Sequence, residues 1–231
     1  MTTMTLYDLA GQNDDLRFSP YCWRVKMALV HKGLDVDSKP WRFTEKETLA
    51  FSEQGKVPVL VDGDQVVTDS WAILNYLDSA YSDRPLLFAD EAAKQSAFNL
   101  KEWVEKTLLL PLLKMTILDI YNGLHEKDKV YFRESREKRL GMSLESFCDP
   151  SEDAVIAFRQ LLEPVRNTLE WQPFLSGTTA GGADYILFGA LQWIYCTSSI
   201  ALLEDDDPVN QWCQRIRALF NGFGEKVTRA V

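Results

Sequence analysis

Apolar and polar residues follow two different periods along the first third of the chain. Alternating or β-branched runs predict strands, whereas apolar residues that recur every three or four positions predict helices. An Asp62-Gly63 pair between two β-branched runs also predicts a hairpin. In order, the patterns predict a strand at 5–9, a helix at 20–32, a strand at 36–41, a short helix at 44–53, a two-stranded hairpin within 55–67 and a helix opening at 69–70. The predicted order is therefore β-α-β-α-β-β-α.

From residue 91 onward the apolar period is helical throughout. The predicted helices are 92–121, 127–144, 152–169, 185–203 and 207–229. Pro111 should kink or split the first of them, because proline lacks an N–H and clashes with the preceding turn. The segment 185–203 is mostly apolar, which predicts a helix buried at the centre of this half. A break at 82–90 predicts a linker between a domain at 1–83 and an all-helical domain at 91–231.

The charge and the cysteine content limit which partners and which cellular compartment are expected. The 231 residues carry a formal net charge of −9, which argues against nucleic acid or an anionic membrane surface as a partner. The N-terminal segment lacks the basic and apolar regions of a signal peptide, and charge interrupts every long apolar stretch. Four scattered cysteines without a CxxC pair predict reduced thiols and a cytoplasmic protein. His31 and His125 are the only histidines, so no metal site is expected.

The start of the helix at 20–32 carries the first candidate chemistry. Ser19 lies where an N-cap belongs, and Pro20 occupies the first helical position, which proline tolerates. A helix start presents unpaired N–H groups and the positive end of the helix dipole, so it suits an anion. If that anion is a thiolate, the Ser19 hydroxyl is the natural donor to it. A plain structural cap is the alternative reading of the same serine.

Two downstream pairs give this helix start a family context. The element order, the Val57-Pro58 pair at the start of the third strand and the Asp69-Ser70 pair opening the third helix resemble the glutathione transferase superfamily. The resemblance implies an α+β, thioredoxin-like N-terminal domain followed by an all-α helical bundle. The stretches 19–24, 69–73 and 84–88 look like bacterial glutathione-dependent β-etherases and related fungal serine-type transferases.

The resemblance also implies roles for individual residues and a co-substrate, glutathione. Ser19 would hold the glutathione sulfur as thiolate, and the backbone of Val57 before a cis Pro58 would pair with the cysteinyl part. Asp69 with Ser70 would bind the γ-glutamyl end at a helix start. Apart from the resemblance, Lys56 could form a salt bridge with a glutathione carboxylate, although a lone lysine before a strand is usually solvated. The thiolate would then attack an aromatic-type electrophile, with β-aryl ether cleavage as one such reaction. The family usually forms homodimers.

Several other residues invite different interpretations. Ser19-Pro20-Tyr21-Cys22 resembles a glutaredoxin motif whose first cysteine is serine, so a thiol reductase acting through Cys22 is an alternative, although a buried cysteine is more often filler. Tyr7 lies in the first strand, where some transferases carry their thiol donor, but core or pocket wall is the preferred reading. A set of apolar residues could line an aromatic pocket: Trp103, Met115, Leu118, Trp193 and Tyr195. A non-catalytic carrier of aromatic ligands is the third reading.

Overall fold

A computed structural model describes residues 4–230. The first half contains β1 (Met4–Leu9), α1 (Pro20–His31), β2 (Val36–Trp41), a 3₁₀ helix (Lys46–Ser52), β3 (Val59–Asp62), β4 (Gln65–Thr68) and α2 (Ser70–Ala80). The strands form one sheet in the order β2-β1-β3-β4, with β1 parallel to β2 and the other pairs antiparallel. This confirms the predicted thioredoxin-like arrangement.

The second half is entirely helical within the described residues. It contains α3 (Glu91–Trp103), a π-helical turn (Val104–Leu108), α4 (Leu109–Asn122), α5 (Glu126–Leu140), α6 (Leu144–Phe147), α7 (Glu152–Leu161), α8 (Glu163–Leu169), α9 (Gly182–Thr197) and α10 (Pro208–Gly222). No helix within 4–230 is both long and apolar enough to cross a membrane. The fold class predicted from the sequence, an α+β half followed by a helical bundle, is confirmed, whereas the domain limits 1–83 and 91–231 stay predictions.

The spacing of Thr44 and Glu47 predicts a capping box at the start of the helix expected at 44–53, but the structure has none there. The segment forms a 3₁₀ helix that begins at Lys46, and no side chain caps it. The Thr44 hydroxyl instead donates to Asp128 Oδ1 at 2.7 Å, and Asp128 also accepts from the backbone N–H groups of Phe43 and Thr44. Asp128 is fully buried, so a carboxylate 84 residues away in sequence recruits the hydroxyl that the local pattern assigned to a cap.

The hairpin turn lies one residue later than the sequence pattern suggested. Asp62 pairs with Gln65 across the hairpin, so Gly63 and Asp64 form the turn. Gly63 has φ +58°, a conformation that glycine adopts without the cost that a Cβ imposes. The side chain of Asp62 accepts hydrogen bonds from the hydroxyls of Tyr76 and Tyr81 at 2.8 and 2.6 Å, which ties β3 to α2 and the segment after it.

Prolines interrupt the helical half, but the observed breaks differ from the simplest expectation. Pro111 is the third residue of α4, and the irregular backbone lies upstream in the π-helical turn Val104–Leu108. Because Pro111 cannot donate and would clash with the carbonyl one turn earlier, the helix changes its bonding pattern before the proline. The predicted helix at 152–169 divides into α7 and α8 next to Pro164. The predicted helix at 185–203 ends at Thr197, and Ser198 is extended.

Helices α1 and α9 form the centre of the molecule. Nearly every residue of α9 is buried, which confirms the prediction of a central buried helix. A Cβ on Gly189 of α9 would lie 2.3 Å from the carbonyl oxygen of Pro20, so only glycine permits this approach. One continuous hydrophobic core joins the sheet and the bundle across this contact. The start of α1 is therefore held directly against the helical half.

Candidate active site

The sheet register brings the predicted site segments to one edge. Tyr7 near the end of β1 pairs with Val59 at the start of β3, and Val59 pairs with Thr68 at the end of β4. The Val57-Pro58 bond therefore precedes this edge, the Asp69-Ser70 pair follows it, and the loop after β1 leads from it to Ser19. Three segments that are up to 51 residues apart in sequence converge where two helices begin.

Ser19 is the N-cap of α1, as predicted. Its side chain is 4% exposed, and its Oγ accepts a hydrogen bond of 3.2 Å from the backbone N–H of Cys22. A hydroxyl can accept and donate at the same time, so capping leaves the Ser19 proton for a bound anion. The structural and the chemical readings of this serine are therefore compatible.

The loop before β3 has the backbone geometry that the resemblance implied. The Val57-Pro58 peptide bond is cis, Val57 is half-buried and Pro58 is buried. Lys56 is exposed and forms no ion pair or hydrogen bond with the described residues. The exposed Lys56 and the half-buried Val57 thus both lie directly before β3 at this edge of the sheet.

The start of α2 contains a buried hydroxyl without a partner. The carboxylate of Asp69 caps the helix by accepting from the N–H groups of Trp71 and Ala72 at 2.9 and 3.0 Å. Asp69 has φ +73°, a strained value for a non-glycine residue of the kind that clusters at binding sites. Ser70 is 1% exposed, and its Oγ has no hydrogen-bond partner among the described residues. A buried unpaired hydroxyl costs about 1–3 kcal/mol, so this group is suited to a ligand that accepts from it.

A charged cluster between α1 and the segment 101–105 has almost no signal in the sequence. Arg24 is 1% exposed, and its Nη1 lies 2.6 Å from Oε1 of Glu105, which belongs to the π-helical turn. Lys101 binds the other oxygen of the same carboxylate at 3.1 Å. The Arg24 guanidinium also stacks on the ring of Tyr21 at 4.8 Å. The only signal in the sequence is the four-residue spacing of Lys101 and Glu105.

Tyr21 connects this cluster to the start of α1. Burial and the nearby Glu105 carboxylate raise the pKa of the Tyr21 phenol, with a smaller contribution from Asp69. Tyr21 is on the same helix turn as Ser19 and stacks under the Arg24 guanidinium, so it links the charged cluster to the start of α1. The charged cluster borders the candidate site.

Cys22 has the environment of a structural thiol. It is fully buried, and burial together with the Asp8 carboxylate raises the pKa of its thiol well above the usual range. Asp8 is itself fully buried and pairs with Lys26 at 3.0 Å. A thiol with a raised pKa holds little thiolate at neutral pH, and thiolate is the nucleophilic form. All four cysteines are free.

The remaining candidates occupy other places. The Tyr7 ring packs on Phe51 with a centroid separation of 5.5 Å and is half-buried, in keeping with a wall or core position. Met115 and Trp193 are buried in the core, and Trp103 and Leu118 pack against it. Tyr195 lines a cavity that contains none of the predicted glutathione-site residues. Within 4–230, no three potential metal ligands come together.

Comparison with known proteins identifies the fold and the family. A family model described as the glutathione S-transferase N-terminal domain matches residues 15–85, and one described as the C-terminal domain matches residues 93–216. A zeta-class glutathione S-transferase from Euphorbia esula is 35% identical over 102 residues, 42% of this chain and 45% of that protein. The alignments with the first curated relatives thus span less than half of their length.

Solved structures share the architecture over the whole chain. Glutathione transferase GSTFuA2 from Phanerochaete chrysosporium has a TM-score of 0.82 and 25% identity, covering 98% of this chain and 100% of that one. CsGST63524 of Ceriporiopsis subvermispora, solved in complex with glutathione, has a TM-score of 0.76 and 18% identity, covering 97% and 94% of the two chains. The chain therefore belongs to the glutathione S-transferase family, whose members use glutathione as co-substrate.

Proposed function

We propose that this protein is a serine-type glutathione transferase in which Ser19 activates the glutathione thiol. The observation that carries the proposal is that two serines, Ser19 and Ser70, lie at the same edge of the sheet. Among the described residues, Ser19 caps α1 by accepting a hydrogen bond and donates to no acceptor, and Ser70 offers a buried hydroxyl without a hydrogen-bond partner at the start of α2. Glutathione carries a thiol, which becomes an anion when it loses its proton, and a γ-glutamyl carboxylate. A helix start and a hydroxyl stabilise each of these anions.

The energies of the Ser19 site are sufficient for thiol activation. A hydrogen bond to a charged group contributes about 1.5–3 kcal/mol. The dipole of α1 adds up to about 2 kcal/mol. Lowering a thiol pKa by about two units requires about 2.7 kcal/mol. One hydroxyl and one helix end therefore supply enough stabilisation to hold the glutathione sulfur as thiolate near neutral pH.

The rest of glutathione would lie along the sheet edge. The backbone of Val57 next to Pro58 pairs with the cysteinyl residue, and Lys56 contacts a carboxylate. Asp69 and Ser70 bind the γ-glutamyl end, where the second carboxylate oxygen of Asp69 faces the ammonium group and Ser70 donates to the carboxylate. The exposure of Lys56 and the strained backbone of Asp69 support these assignments.

The reaction follows from a thiolate held next to the helical half. The sulfur attacks an electrophilic carbon of an aromatic-type substrate, so a C–S bond forms. In β-aryl ether cleavage the C–O bond breaks, and the phenolate leaves and takes a proton from solvent. In conjugate addition no group leaves, and the substrate carbanion takes the proton instead. Supporting the ether reaction are the stretches 19–24, 69–73 and 84–88, which look like those of β-etherases.

The test is Ser19→Ala with a matched cap control. Ser19→Ala should lower kcat/KM with a chromogenic electrophile and with a β-aryl ether by about 10- to 100-fold, the loss of one charge-assisted hydrogen bond. It should also raise the apparent thiol pKa of bound glutathione, read from thiolate ultraviolet absorbance. Because the variant also loses a cap, Ser151→Ala serves as control, since Ser151 caps α7 through Ala154 N–H at 3.3 Å.

The control separates capping from catalysis. Each variant should lose about 1 kcal/mol of stability from its missing cap, and only Ser19→Ala should lose activity. Equal activity in wild type and Ser19→Ala would remove Ser19 from the mechanism. Failure of glutathione to bind at millimolar concentration would favour the ligand-carrier alternative. The reductase alternative requires a reactive Cys22, which the burial and raised pKa of this thiol disfavour.

The proposal also includes the oligomeric state of the protein and its cellular compartment. We expect a homodimer, as is usual in the family, and a cytoplasmic protein, in keeping with four free cysteines. Neither nucleic acid nor a membrane is an expected partner, since the net charge is −9.

A further inference from the structure

The segment between β2 and β3 ends in two of the proposed glutathione contacts, Lys56 and Val57. It contains one 3₁₀ helix, Lys46–Ser52. Of residues 44–56, only Leu49 is buried. A segment with so little buried apolar surface is held weakly by its own packing, so its position depends on the few contacts that anchor it.

The helical half anchors the start of this segment through one buried carboxylate. Asp128 lies in the first turn of α5 and is fully buried. Its Oδ2 accepts from the Phe43 N–H at 3.0 Å, and its Oδ1 accepts from the N–H and the hydroxyl of Thr44 at 3.0 and 2.7 Å. The start of α5 also stabilises the negative charge, because the helix dipole is positive there. Three donors and a helix end thus hold this carboxylate in one geometry.

The Phe43 side chain reinforces the same contact. Its ring packs on the rings of Tyr131 and Phe132 of α5, with centroid separations of 6.3 and 5.8 Å. The guanidinium carbon of Arg136, on the same helix, lies 4.8 Å from the centroid of the Phe43 ring. One helix of the bundle therefore holds both the backbone and a side chain at the start of the segment.

The Lys46 side chain connects this anchor to the end of the segment. Its Nζ lies 4.7 Å from the centroid of the Tyr131 ring of α5. The same side chain lies beside Gly55, where a Cβ would be 3.5 Å from Lys46 Cγ and Cδ. Gly55 directly precedes Lys56 in the sequence. A displacement of the segment from α5 would therefore also displace the residues next to Val57.

We propose that Asp128 is a positioning residue for glutathione binding. It holds the segment in the position from which Lys56 contacts a glutathione carboxylate and Val57 pairs with the cysteinyl residue. Asp128 is fully buried and acts through these two residues. The inference rests on the proposed function, because it takes glutathione to bind at this edge of the sheet.

Asp128→Asn tests this role, because the amide nitrogen of asparagine donates and cannot accept from an N–H group. One donor of Phe43 or Thr44 then loses its acceptor, and the segment occupies its binding position for only part of the time. The dissociation constant for glutathione rises by the inverse of that fraction. We expect it to be about tenfold higher in calorimetric titration, and KM for glutathione to rise by a similar factor, whereas kcat at saturating glutathione stays within about twofold of wild type.

Glutathione ethyl ester tests whether the effect is exerted through Lys56. Its glycyl carboxylate is esterified, and this is the carboxylate left for Lys56 when Ser70 binds the γ-glutamyl end. Wild type should bind the ester about threefold more weakly than glutathione, the effect of an exposed ion pair. Asp128→Asn should bind both compounds with equal affinity. A preference for glutathione that the variant retains in full, or that wild type lacks, would overturn the proposal.

Two milder variants decide the proposal if Asp128→Asn does not fold. Thr44→Val removes only the hydroxyl that donates to Asp128 and should raise the dissociation constant for glutathione about threefold. Thr44→Ser keeps that donor and should bind glutathione as wild type does. Equal affinities of Thr44→Val and Thr44→Ser for glutathione would overturn the proposal.

Asp78→Asn is the matched control for a loss of stability. Asp78 likewise accepts from backbone N–H groups of a distant segment, those of Leu87 and Phe88 at 2.9 and 3.1 Å, but this segment is the linker. The variant should unfold at a lower urea concentration and bind glutathione as wild type does. An affinity loss as large as that of Asp128→Asn would assign both losses to general destabilisation and overturn the proposal.

The same titrations separate this inference from the proposed function. Wild-type protein that fails to bind glutathione would overturn the proposed function and this inference together. Wild type and Asp128→Asn that bind glutathione with equal affinity would overturn only the positioning role of Asp128.

Discussion

Three side chains near the start of α1 show how environment decides chemistry. Ser19 and Cys22 are on the same helix turn, and the cysteine is intrinsically the better nucleophile. Cys22 is fully buried beside the Asp8 carboxylate, so its pKa is raised and it stays a neutral thiol. Ser19 needs no ionisation for its proposed role, because a neutral hydroxyl donates to a thiolate. Burial thus disfavours the residue that first looks reactive.

Ser70 offers the sharpest test at the scale of a single residue. Because its Oγ has no partner among the described residues, Ser70→Ala removes no hydrogen bond of the free protein. We expect a dissociation constant for glutathione about tenfold higher, with the free energy of unfolding unchanged or slightly increased. Calorimetric titration and urea unfolding measure the two quantities.

Ser79→Ala is the matched control for this prediction. Ser79 is on the same helix and donates to the Asn75 carbonyl at 2.9 Å, on the exposed side. This variant should bind glutathione as wild type does. An unchanged glutathione affinity in Ser70→Ala would exclude the hydroxyl from the binding site.

At the scale of elements, local sequence patterns predict which segments are helical. They predict less well where a helix begins or where its hydrogen-bonding pattern becomes irregular. Ser19 before Pro20 caps α1 as expected, and of the Asp69-Ser70 pair expected to open the next helix, Asp69 is the residue that caps α2. Thr44 does not, since Asp128 recruits its hydroxyl from across the molecule. The π-helical turn lies upstream of Pro111 and contains Glu105, the partner of the buried Arg24. Its position depends on a contact that no local pattern contains.

Gly189 tests the contact between α9 and α1. Helix propensity alone predicts that Gly189→Ala adds about 0.5–1 kcal/mol of stability. The packing predicts the opposite sign, because the new Cβ would lie 2.3 Å from the Pro20 carbonyl oxygen. We expect a loss of about 1–3 kcal/mol in urea unfolding, the usual cost of overpacking, together with lower kcat/KM since Pro20 adjoins Ser19.

Gly55→Ala is the comparison for this substitution. A Cβ at Gly55 would meet only Lys46 side-chain atoms at 3.5 Å or more, an ordinary contact. The free energy of unfolding of Gly55→Ala should stay within about 0.5 kcal/mol of the wild-type value. A stabilised Gly189→Ala protein would show that α1 and α9 can separate without cost.

At the scale of the whole molecule, the two halves share one core and a polar junction. Lys32 is 1% exposed and binds Asp78 at 2.8 Å together with the carbonyls of Tyr81 and Pro85. His31 lies beside it, with Nδ1 2.7 Å from the Tyr185 hydroxyl and Nε2 3.2 Å from the Leu86 carbonyl. These contacts join α1, the linker and α9.

His31 makes the stability of this junction depend on pH. Burial lowers the pKa of His31 below 6.5, and Lys32 lowers it further, while Asp78 and Asp184 oppose the shift. Below the unfolded pKa the unfolded chain then binds more protons than the native protein, so stability falls as pH decreases. We expect a lower Tm at about pH 5.5 than at about pH 7.5, since histidine titrates across this range.

Variants of the two histidines test whether His31 causes this pH dependence of Tm. His31→Asn should show a smaller drop in Tm between the two pH values, whereas His125→Asn should keep the wild-type drop. His125 caps α5 by accepting from the Lys127 N–H through Nδ1 at 3.3 Å and lies in a different part of the fold. An undiminished drop in His31→Asn would assign the pH dependence to other groups.

The sequence by itself determined the order of elements, the fold class and the segments of the candidate site. It could do so because periodicity, N-caps and turn pairs are local: each depends on a few neighbouring residues, as at Ser19-Pro20 and Asp69-Ser70. The tertiary structure decided which polar groups are satisfied. Among the described residues, it buried Cys22 next to Asp8, left the Ser70 hydroxyl without a hydrogen-bond partner, paired Arg24 with Glu105, and placed Arg217 and Arg229 over the ring of Tyr195. Burial and pairing depend on residues that are distant in sequence, so only the folded chain determines them.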